Sequence, residues 1–477
     1  MSEHETTKIG RQSWLGALKI YGDRRTLVIL ALGFASGLPN LLIFDTLSAW
    51  LRESGLSLEV IGFFSLATLA YSFKFLWAPL VDRAAIPVLD RLFGHRRAWM
   101  LVAQAAIILG LWLVAGSDPA VNLGLVALFA VFTGFASATQ DIVIDAWRIE
   151  AAEDEHQGAM AAAYQWGYRL AVIVAGAAPL LLAEAYGWGL SYSAMAALMG
   201  VGVLAVLFAP REKPEKRSPA SFVKNSDRAF LYRAFVEPFT DFWGRFGKIA
   251  LLILALICLY RVSDFVLNIM NPFYLDLGFS KTEIAEVRKV FGVFMSMLGV
   301  FLGGWAIARY GLMIPLMIGA LAGPISNLVF VWLASRGADL TALFVAIGVD
   351  NVASGFSVTC LIAYMSSLTS AGFTATQYAL FSSLYSLPGK LIASQSGRIV
   401  EGAARSANDG GFFMPLMDIV VRAPSIALAE AAARIEVSAR ALGAGYIAFF
   451  IYSFVIGLVA VFFTFLVANR KTSVPRA

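Results

Sequence analysis

Asn122-Leu-Gly-Leu-Val-Ala-Leu-Phe-Ala-Val-Phe-Thr-Gly-Phe-Ala-Ser-Ala-Thr-Gln-Asp-Ile-Val-Ile-Asp-Ala-Trp147 decides the fold class. A helix needs about 20 mostly apolar residues to cross a hydrocarbon core. This run has the length, and only Asp141 and Asp145 break its apolar character. Working outward, comparable runs lie near 26–50, 58–80, 98–116, 159–183, 191–209, 248–272, 284–307, 313–334, 340–365, 375–397 and 441–468. The expectation is an all-α membrane protein with twelve spans in two pseudo-symmetric six-helix bundles. The whole chain agrees. Of 477 residues, 59% are hydrophobic and 14% charged, against about 45–50% and about 25% in soluble domains. Disordered, fibrous and secreted disulfide-rich classes are excluded, and Cys258 and Cys360 both lie inside apolar runs. The net charge is +5, but the basic residues are scattered and form no nucleic-acid patch.

Residues 1–25 are polar and contain no signal-peptide core, so the first apolar run reads as a retained span. The division expected is a cytoplasmic N-terminus (1–25), a six-helix bundle (26–210), a cytoplasmic linker (211–247), a second bundle (248–468) and a cytoplasmic tail (469–477). Lys and Arg outside the spans number 23 on the side of the N-terminus and 8 on the other. By the positive-inside rule both termini are cytoplasmic. The stretch 398–440 is a polar insert on the outer side. Its Glu430/Arg434 and Glu436/Arg440 pairs are spaced i,i+4 and predict a helix from about 425 to 440. It reads either as a solvated or interface-lying helix or as a lid over an outward cavity.

A charge at the bilayer centre costs about 2.5–3.5 kcal/mol on insertion scales, so it must face a partner or a cavity. Asp45, Lys74, Asp141, Asp145 and Arg169 fall in spans one, two, four and five. Arg261, Asp264, Arg288, Lys289, Asp350 and Lys390 fall in spans seven, eight, ten and eleven. Spans three, six, nine and twelve carry none. Internal duplication explains that distribution, with the charged helices around a central path and the others against lipid. Asp141 and Asp145 share one helix face. Two adjacent carboxylates need two cations or a proton, so Asp141, Asp145, Asp264 and Asp350 are candidates for proton coupling. Each also has a plainer reading as a salt bridge: Asp145 with Arg148, Asp264 with Arg261, and Lys74 with a neighbouring carboxylate. Tyr71, Tyr164 and Trp166, near these charges, are candidate platforms for a sugar ring.

The loop Pro79-Leu-Val-Asp82-Arg83, followed by Gly94-His-Arg96-Arg97, resembles the G-x-x-x-D-R-x-G-R-R motif of the major facilitator superfamily, with Ala78 at the glycine position. Gly33-Phe-Ala-Ser-Gly-Leu-Pro39, Tyr71-Ser-Phe-Lys-Phe-Leu-Trp-Ala-Pro79, Ser137–Trp147, Gly167-Tyr-Arg-Leu170, Leu259-Tyr-Arg-Val-Ser-Asp264 and Ala375-Thr-Gln-Tyr-Ala-Leu380 are similar to AmpG-type muropeptide permeases. The likeness runs over residues 26–400. It implies an inner-membrane, proton-driven importer of anhydromuropeptides for peptidoglycan recycling, a flux that controls β-lactamase induction in some bacteria. It makes Asp82, Arg83, Arg96 and Arg97 a gating loop. No cofactor and no metal are expected beyond the proton gradient, and the partners are a sugar-peptide substrate, protons and the bilayer around a monomer.

Such a cargo carries sugars, carboxylates and an amine. Arg169, Arg261, Lys289 and Lys390 suit the carboxylates, while Asp45 and other acidic groups suit the amine. Gln140, Gln165, Asn268 and Gln395 suit sugar hydroxyls. The same cations suit phosphates, so a related acetyl-CoA carrier stays open. So does a drug/proton antiporter, although Gly176-Ala-Ala-Pro179 is only a fragment of an antiporter motif. His4, His95 and His156 have no catalytic spacing, and no nucleophile, P-loop or metalloprotease motif occurs, so no enzyme is expected.

Overall fold

The computed structural model describes residues 22–54, 69–151, 156–210, 232, 235–393, 395–420 and 423–469. Among the described residues the regular structure is helical throughout. The helix α1 (Arg24–Leu41) starts behind Asp23, whose carboxylate accepts the Arg25 N–H, and runs through a π turn (Leu42–Thr46) into Leu47–Glu53. Next comes α2, Leu69–Phe73 and Ala78–Arg83 around a 3₁₀ turn at Lys74–Leu76. The first part of the expected second span, 58–68, lies outside the described residues. Then follow α3 (His95–Ala115), α4 (Leu123–Ala151), α5 (Gln157–Tyr186), α6 (Trp188–Phe208), α7 (Ile249–Leu277), α8 (Thr282–Tyr310), α9 (Met313–Arg336), α10 (Leu340–Ser367), α11 (Thr374–Ala393) and α12 (Ala439–Asn469). Nine of these are long and apolar enough to span a bilayer among the described residues. The other three expected positions are held by α1, α2 and α11.

Helix pairings repeat six helices apart. α1 packs on α5 as α7 does on α11, α1 on α6 as α7 on α12, α2 on α4 as α8 on α10, α3 on α4 as α9 on α10, and α3 on α6 as α9 on α12. Between the halves, α5 meets α8 and α10, and α11 meets α2 and α4, so these contacts also interchange under the twofold. This is the major facilitator architecture. The uncharged helices form the outside, where Trp112, Leu204, Phe208, Ile325 and Phe462 are exposed in the positions lipid covers.

Two features set the packing. Backbones replace side chains between α1 and α5: a Cβ on Gly33 would collide with the Tyr164 carbonyl, and one on Gly167 with the Leu30 carbonyl. Prolines free carbonyls that other helices then satisfy. Pro39 has no N–H for the Ala35 carbonyl, and Gln140 Nε2 donates to it instead at 2.9 Å. Pro179 leaves the Ala175 carbonyl open, and Thr46 Oγ1 donates to it at 3.0 Å.

The two ends of the bundle differ. At the face bearing the linker helix Glu237–Phe246, Asp82 reaches across from α2 to the start of α11. Its carboxylate accepts the Thr376 N–H (2.8 Å), the Thr376 hydroxyl (2.6 Å) and the Ala375 N–H (3.2 Å). Arg96, itself held by Glu150 at 2.6 Å, fixes that carboxylate at 2.8 Å. Arg83 pairs with Glu237 of the linker helix at 3.1 Å and lies over Phe373, while Arg148 of α4 lies over Tyr378 of α11. Ala375 and Ala379 are buried in the apolar cluster of the first half.

The outer insert differs from the sequence reading. Helix α11 stops at Ala393, four residues short of the expected span, and an amphipathic helix Ser396–Asn408 follows. Its Val400, Ala403, Ala404 and Ala407 are buried, and the helix lies on α12. Its apolar residues recur at helical spacing, a pattern that the reading of 398–440 as a polar insert passed over. The helix expected over 425–440 is Ile426–Ala433. Glu436 takes a left-handed backbone (φ 59°), and Arg440 already belongs to α12, so the Glu436/Arg440 spacing does not lie on one helix. Ser425 Oγ donates to the Asp276 carbonyl and Tyr446 OH to its carboxylate, both at 2.6 Å, which docks the insert on the second half.

Two outcomes follow. Gly33→Ala or Gly167→Ala forces α1 from α5 and lowers stability by about 1–3 kcal/mol. Gly124→Ala, where a Cβ meets nothing within 4 Å, stays within about 1 kcal/mol; thermal unfolding in detergent compares them. Asp82→Asn weakens the inter-half cap by about 1–2 kcal/mol. In a chain with Cys258 and Cys360 replaced by Ala, it raises thiol labelling of Ala379→Cys; unchanged labelling would show that the cap does not hold the halves together.

Candidate functional site

In the first half Asp141 and Asp145, one turn apart on α4, have different surroundings. Asp145 sits between Lys74 Nζ and Arg148 Nη2, each 3.6 Å away. The salt-bridge reading of Asp145 and of Lys74 is what the geometry shows. Asp141 has no cation at ion-pair distance among the described residues. It accepts the Ser36 hydroxyl at 2.5 Å, and that oxygen lies 2.8 Å from Tyr164 OH. Tyr71 OH donates to Ser137 Oγ at 2.8 Å, and Asn40 Nδ2 donates to Tyr168 OH at 3.0 Å. The result is a row of hydroxyl groups ending on a buried carboxylate.

In the second half Arg261 holds Asp264 by two bonds to one oxygen, 2.9 and 2.8 Å, and donates to Ser354 Oγ at 3.1 Å. Asp264 therefore has the salt-bridge geometry. Asp350 accepts only a long contact from Ser326 Oγ, 3.4 Å, among the described residues. A cavity of about 160 Å³ opens between α7, α8 and α10 beside Arg261, Asp264, Tyr274, Arg288, Asp350 and Ser354. A 3₁₀ stretch at Val266–Ile269 breaks α7 along this cavity, and a π stretch at Ala285–Phe291 widens α8 where Arg288 projects. Arg288 donates to the Asn271 side chain.

The half-sites adjoin. Arg169 of α5 lies within electrostatic reach of Arg261 of α7, and Tyr168 of Tyr385. Arg169 Nε is buried with no hydrogen-bond partner among the described residues. Two guanidiniums from opposite halves, one with an orphaned donor, form a place for an anion.

Several expected ligands have other work. Gln140 is fully buried and spends its amide on the Ala35 carbonyl freed by Pro39, so it is a packing tie, not a sugar contact. Trp166 donates its indole N–H to the Met297 carbonyl across the halves at 2.9 Å, so it bolts α5 to α8 instead of offering a free platform. Tyr164 is buried, with its hydroxyl 2.8 Å from Ser36 Oγ. Gln395 stands at the turn before Ser396–Asn408 and accepts from Arg398 at 3.2 Å. Gln165 is half-buried on α5. Of the gating set, Asp82, Arg83 and Arg96 meet at the linker face. Arg97 instead donates to the Val206 and Leu207 carbonyls, both at 3.0 Å, closing the end of α6. The side chains of Asp45, Asn268, Lys289 and Lys390 lie outside the described residues. Sequence reasoning passed over Ser36, Asn40 and Ser354 as ligands, because small hydroxyl and amide groups inside an apolar run carry no signal of which face they take. Arg288, which sequence reasoning placed in a span but did not assign to the cargo, lines the cavity.

Comparison with known proteins agrees with this geometry. The family model described as Major Facilitator Superfamily matches residues 49–393. A transporter named AmpG 4 of Rickettsia felis is 34% identical over 385 residues, 80% of this chain and 91% of that protein. The anhydromuropeptide permease of Escherichia coli K12 is 35% identical over 387 residues, 80% of this chain and 76% of that protein. Among solved structures, the proton:xylose symporter XylE superposes with a TM-score of 0.58 at 12% identity, covering 94% of this chain and 95% of that one. The human organic anion transporter MFSD10 gives 0.56 at 16% identity, covering 95% and 100%. With a family match over most of its length and relatives above 30% identity, this chain belongs to the Major Facilitator Superfamily.

Proposed function

We propose that this membrane permease, a transporter and not an enzyme, imports anhydromuropeptides across a bacterial inner membrane in symport with protons, for peptidoglycan recycling. The likeness to an anhydromuropeptide permease over 80% of the chain supports the substrate class. One observation carries the chemistry: Asp141, bonded by a serine hydroxyl and not by a cation, stands in a row of tyrosine hydroxyls that leads to Arg169 and Arg261. Hydroxyl groups and aromatic edges suit sugars, and the two guanidiniums suit peptide carboxylates. Asp141 is the carboxylate free to bind and release a proton without breaking an ion pair. Asp145, Asp264 and Asp350 follow it as its supporting acidic groups. The linker face is cytoplasmic, by its excess of Lys and Arg, and the insert face is periplasmic. Where such uptake controls β-lactamase induction, the permease takes part in antibiotic resistance.

Transport alternates between two closures. At the linker face the Asp82 cap, the Arg148–Tyr378 contact and the Arg83–Glu237 pair shut the path. Cargo and proton enter from the insert face and settle between the halves. Release requires the α2–α11 and α5–α8 contacts to exchange closure between the two ends, as rocking bundles do.

Proteoliposome uptake of labelled anhydromuropeptide, with and without an inward proton gradient, tests this reading. Uptake rises with the gradient and is competed by unlabelled anhydromuropeptide but not by acetyl-CoA. Asp141→Asn loses about tenfold or more of the gradient-driven component while inserting normally. Gradient-independent uptake in both chains would refute proton symport at Asp141. Arg169→Ala raises the concentration needed for half-maximal uptake about tenfold, and an unchanged value would remove Arg169 from the site.

A further inference from the structure

A partly open, polar cavity lies between α7, α8 and α10, and its charges are unevenly matched. Arg261 and Asp264 satisfy one another through two hydrogen bonds to a single oxygen. Among the described residues, that leaves Asp350, which holds only the long Ser326 contact, and Arg288, which commits one guanidinium nitrogen to Asn271. Both border the cavity, and each lies within electrostatic reach of the other. One uncommitted anion and one uncommitted cation therefore face the same small space. At about 160 Å³ that space takes a group of about five heavy atoms, at about 30 Å³ per water-sized unit. Tyr274 and Ser354 add hydroxyls on its wall.

A purely anionic ligand would meet Asp350, with Asp264 beside it. A purely cationic one would meet Arg288 and Arg261. A zwitterion meets neither penalty. We propose that this cavity is the subsite for an α-amino-acid head group, its ammonium on Asp350 and its carboxylate on Arg288. The proposal rests on the muropeptide reading above and narrows it: the peptide part must present a free amino-carboxylate end, which enters the second half while the sugars lie along the hydroxyl row of the first. Asp350 takes the ammonium in the same ionised form that it reaches on losing a proton.

The arrangement also accounts for the break in α7. A continuous helix would carry side chains past the cavity at regular 100° intervals. The 3₁₀ stretch at Val266–Ile269, and the π stretch beside it on α8, open the wall where an extended head group would enter. Arg261, fixed to Asp264 and Ser354, then stands as a rigid divider between this subsite and Arg169.

The test uses the full chain in proteoliposomes and three labelled cargoes: an anhydromuropeptide whose peptide ends in a diamino acid with a free amino-carboxylate, the same compound acetylated on that amine, and the same compound amidated on that carboxylate. In the native chain each modification lowers uptake about tenfold or more. With Asp350→Asn the penalty for acetylation vanishes and the penalty for amidation remains. With Arg288→Gln the pattern reverses. Equilibrium binding of the three cargoes to detergent-solubilised protein gives the same comparison where a variant does not transport. Equal handling of all three cargoes by the native chain overturns the subsite and leaves the muropeptide reading standing. A variant that binds cargo yet keeps both penalties also overturns it. Failure of the native chain to carry any of the three overturns the subsite and the proposed function together.

Discussion

An ionised side chain inside hydrocarbon must find an opposite charge, a hydrogen-bond donor or water, and the organisation of this permease follows from how each charge meets that demand. Lys74 and Arg148 flank Asp145, and Arg261 grips Asp264. These are stiff arrangements, their charges largely spent on one another. Asp141, Asp350 and Arg169 are left incompletely matched beside them. The satisfied pairs orient the unsatisfied groups and keep them from collapsing onto one another. A bundle in which every charge were paired would be more comfortable in lipid and would bind nothing.

The backbone obeys the same rule. Membrane helices tolerate proline where a neighbour meets the freed carbonyl, and Gln140 and Thr46 do this for Pro39 and Pro179. The start of α11 is the most consequential case. Its first N–H groups have no partner within their own helix, and Asp82, from the other half of the molecule, accepts two of them. When the halves part at this face, those donors and the Asp82 carboxylate must be resolvated or re-paired. The contact is therefore made or broken as a unit. In the alternating cycle proposed above, this favours two discrete closures over a graded opening.

The fold was readable from hydropathy and charge placement because the bilayer imposes a length and an exclusion that composition cannot disguise. Runs such as 122–147 or 340–365 needed no tertiary information. The outer insert was less well read: Ser396–Asn408 is polar on average, which masked the apolar face its residues present at helical spacing, and the break at Glu436 is a backbone event. The site shows a sharper division. Which residues carry charge was plain, and so was their restriction to eight helices. Which pair and which stay free depends on helix rotation. Asp141 and Asp145 are one turn apart and equivalent in sequence, yet only Asp145 meets Lys74 at ion-pair distance, because the 3₁₀ turn at Lys74–Leu76 aims that side chain. Gln140 and Trp166 looked like ligands since polar groups near charges usually are. One is consumed by a proline's missing hydrogen bond and the other by a carbonyl across the interface.

Duplication has preserved the scaffold more faithfully than the chemistry. Five helix pairs in one half have their counterparts in the other, yet the glycine-mediated contact of α1 with α5 faces, at the equivalent place, a bulkier packing of Phe265 against Gly389 where α7 is broken. The first half is tightly joined around α1 and α5 and offers hydroxyls with one carboxylate. The second is opened along α7 and offers mixed charge. A symmetric pair of pockets would hold a cargo of two like ends. The cargo proposed above, with sugars at one end and a charged peptide at the other, needs unlike halves, and an opened α7 beside a tightly packed α1 would supply them.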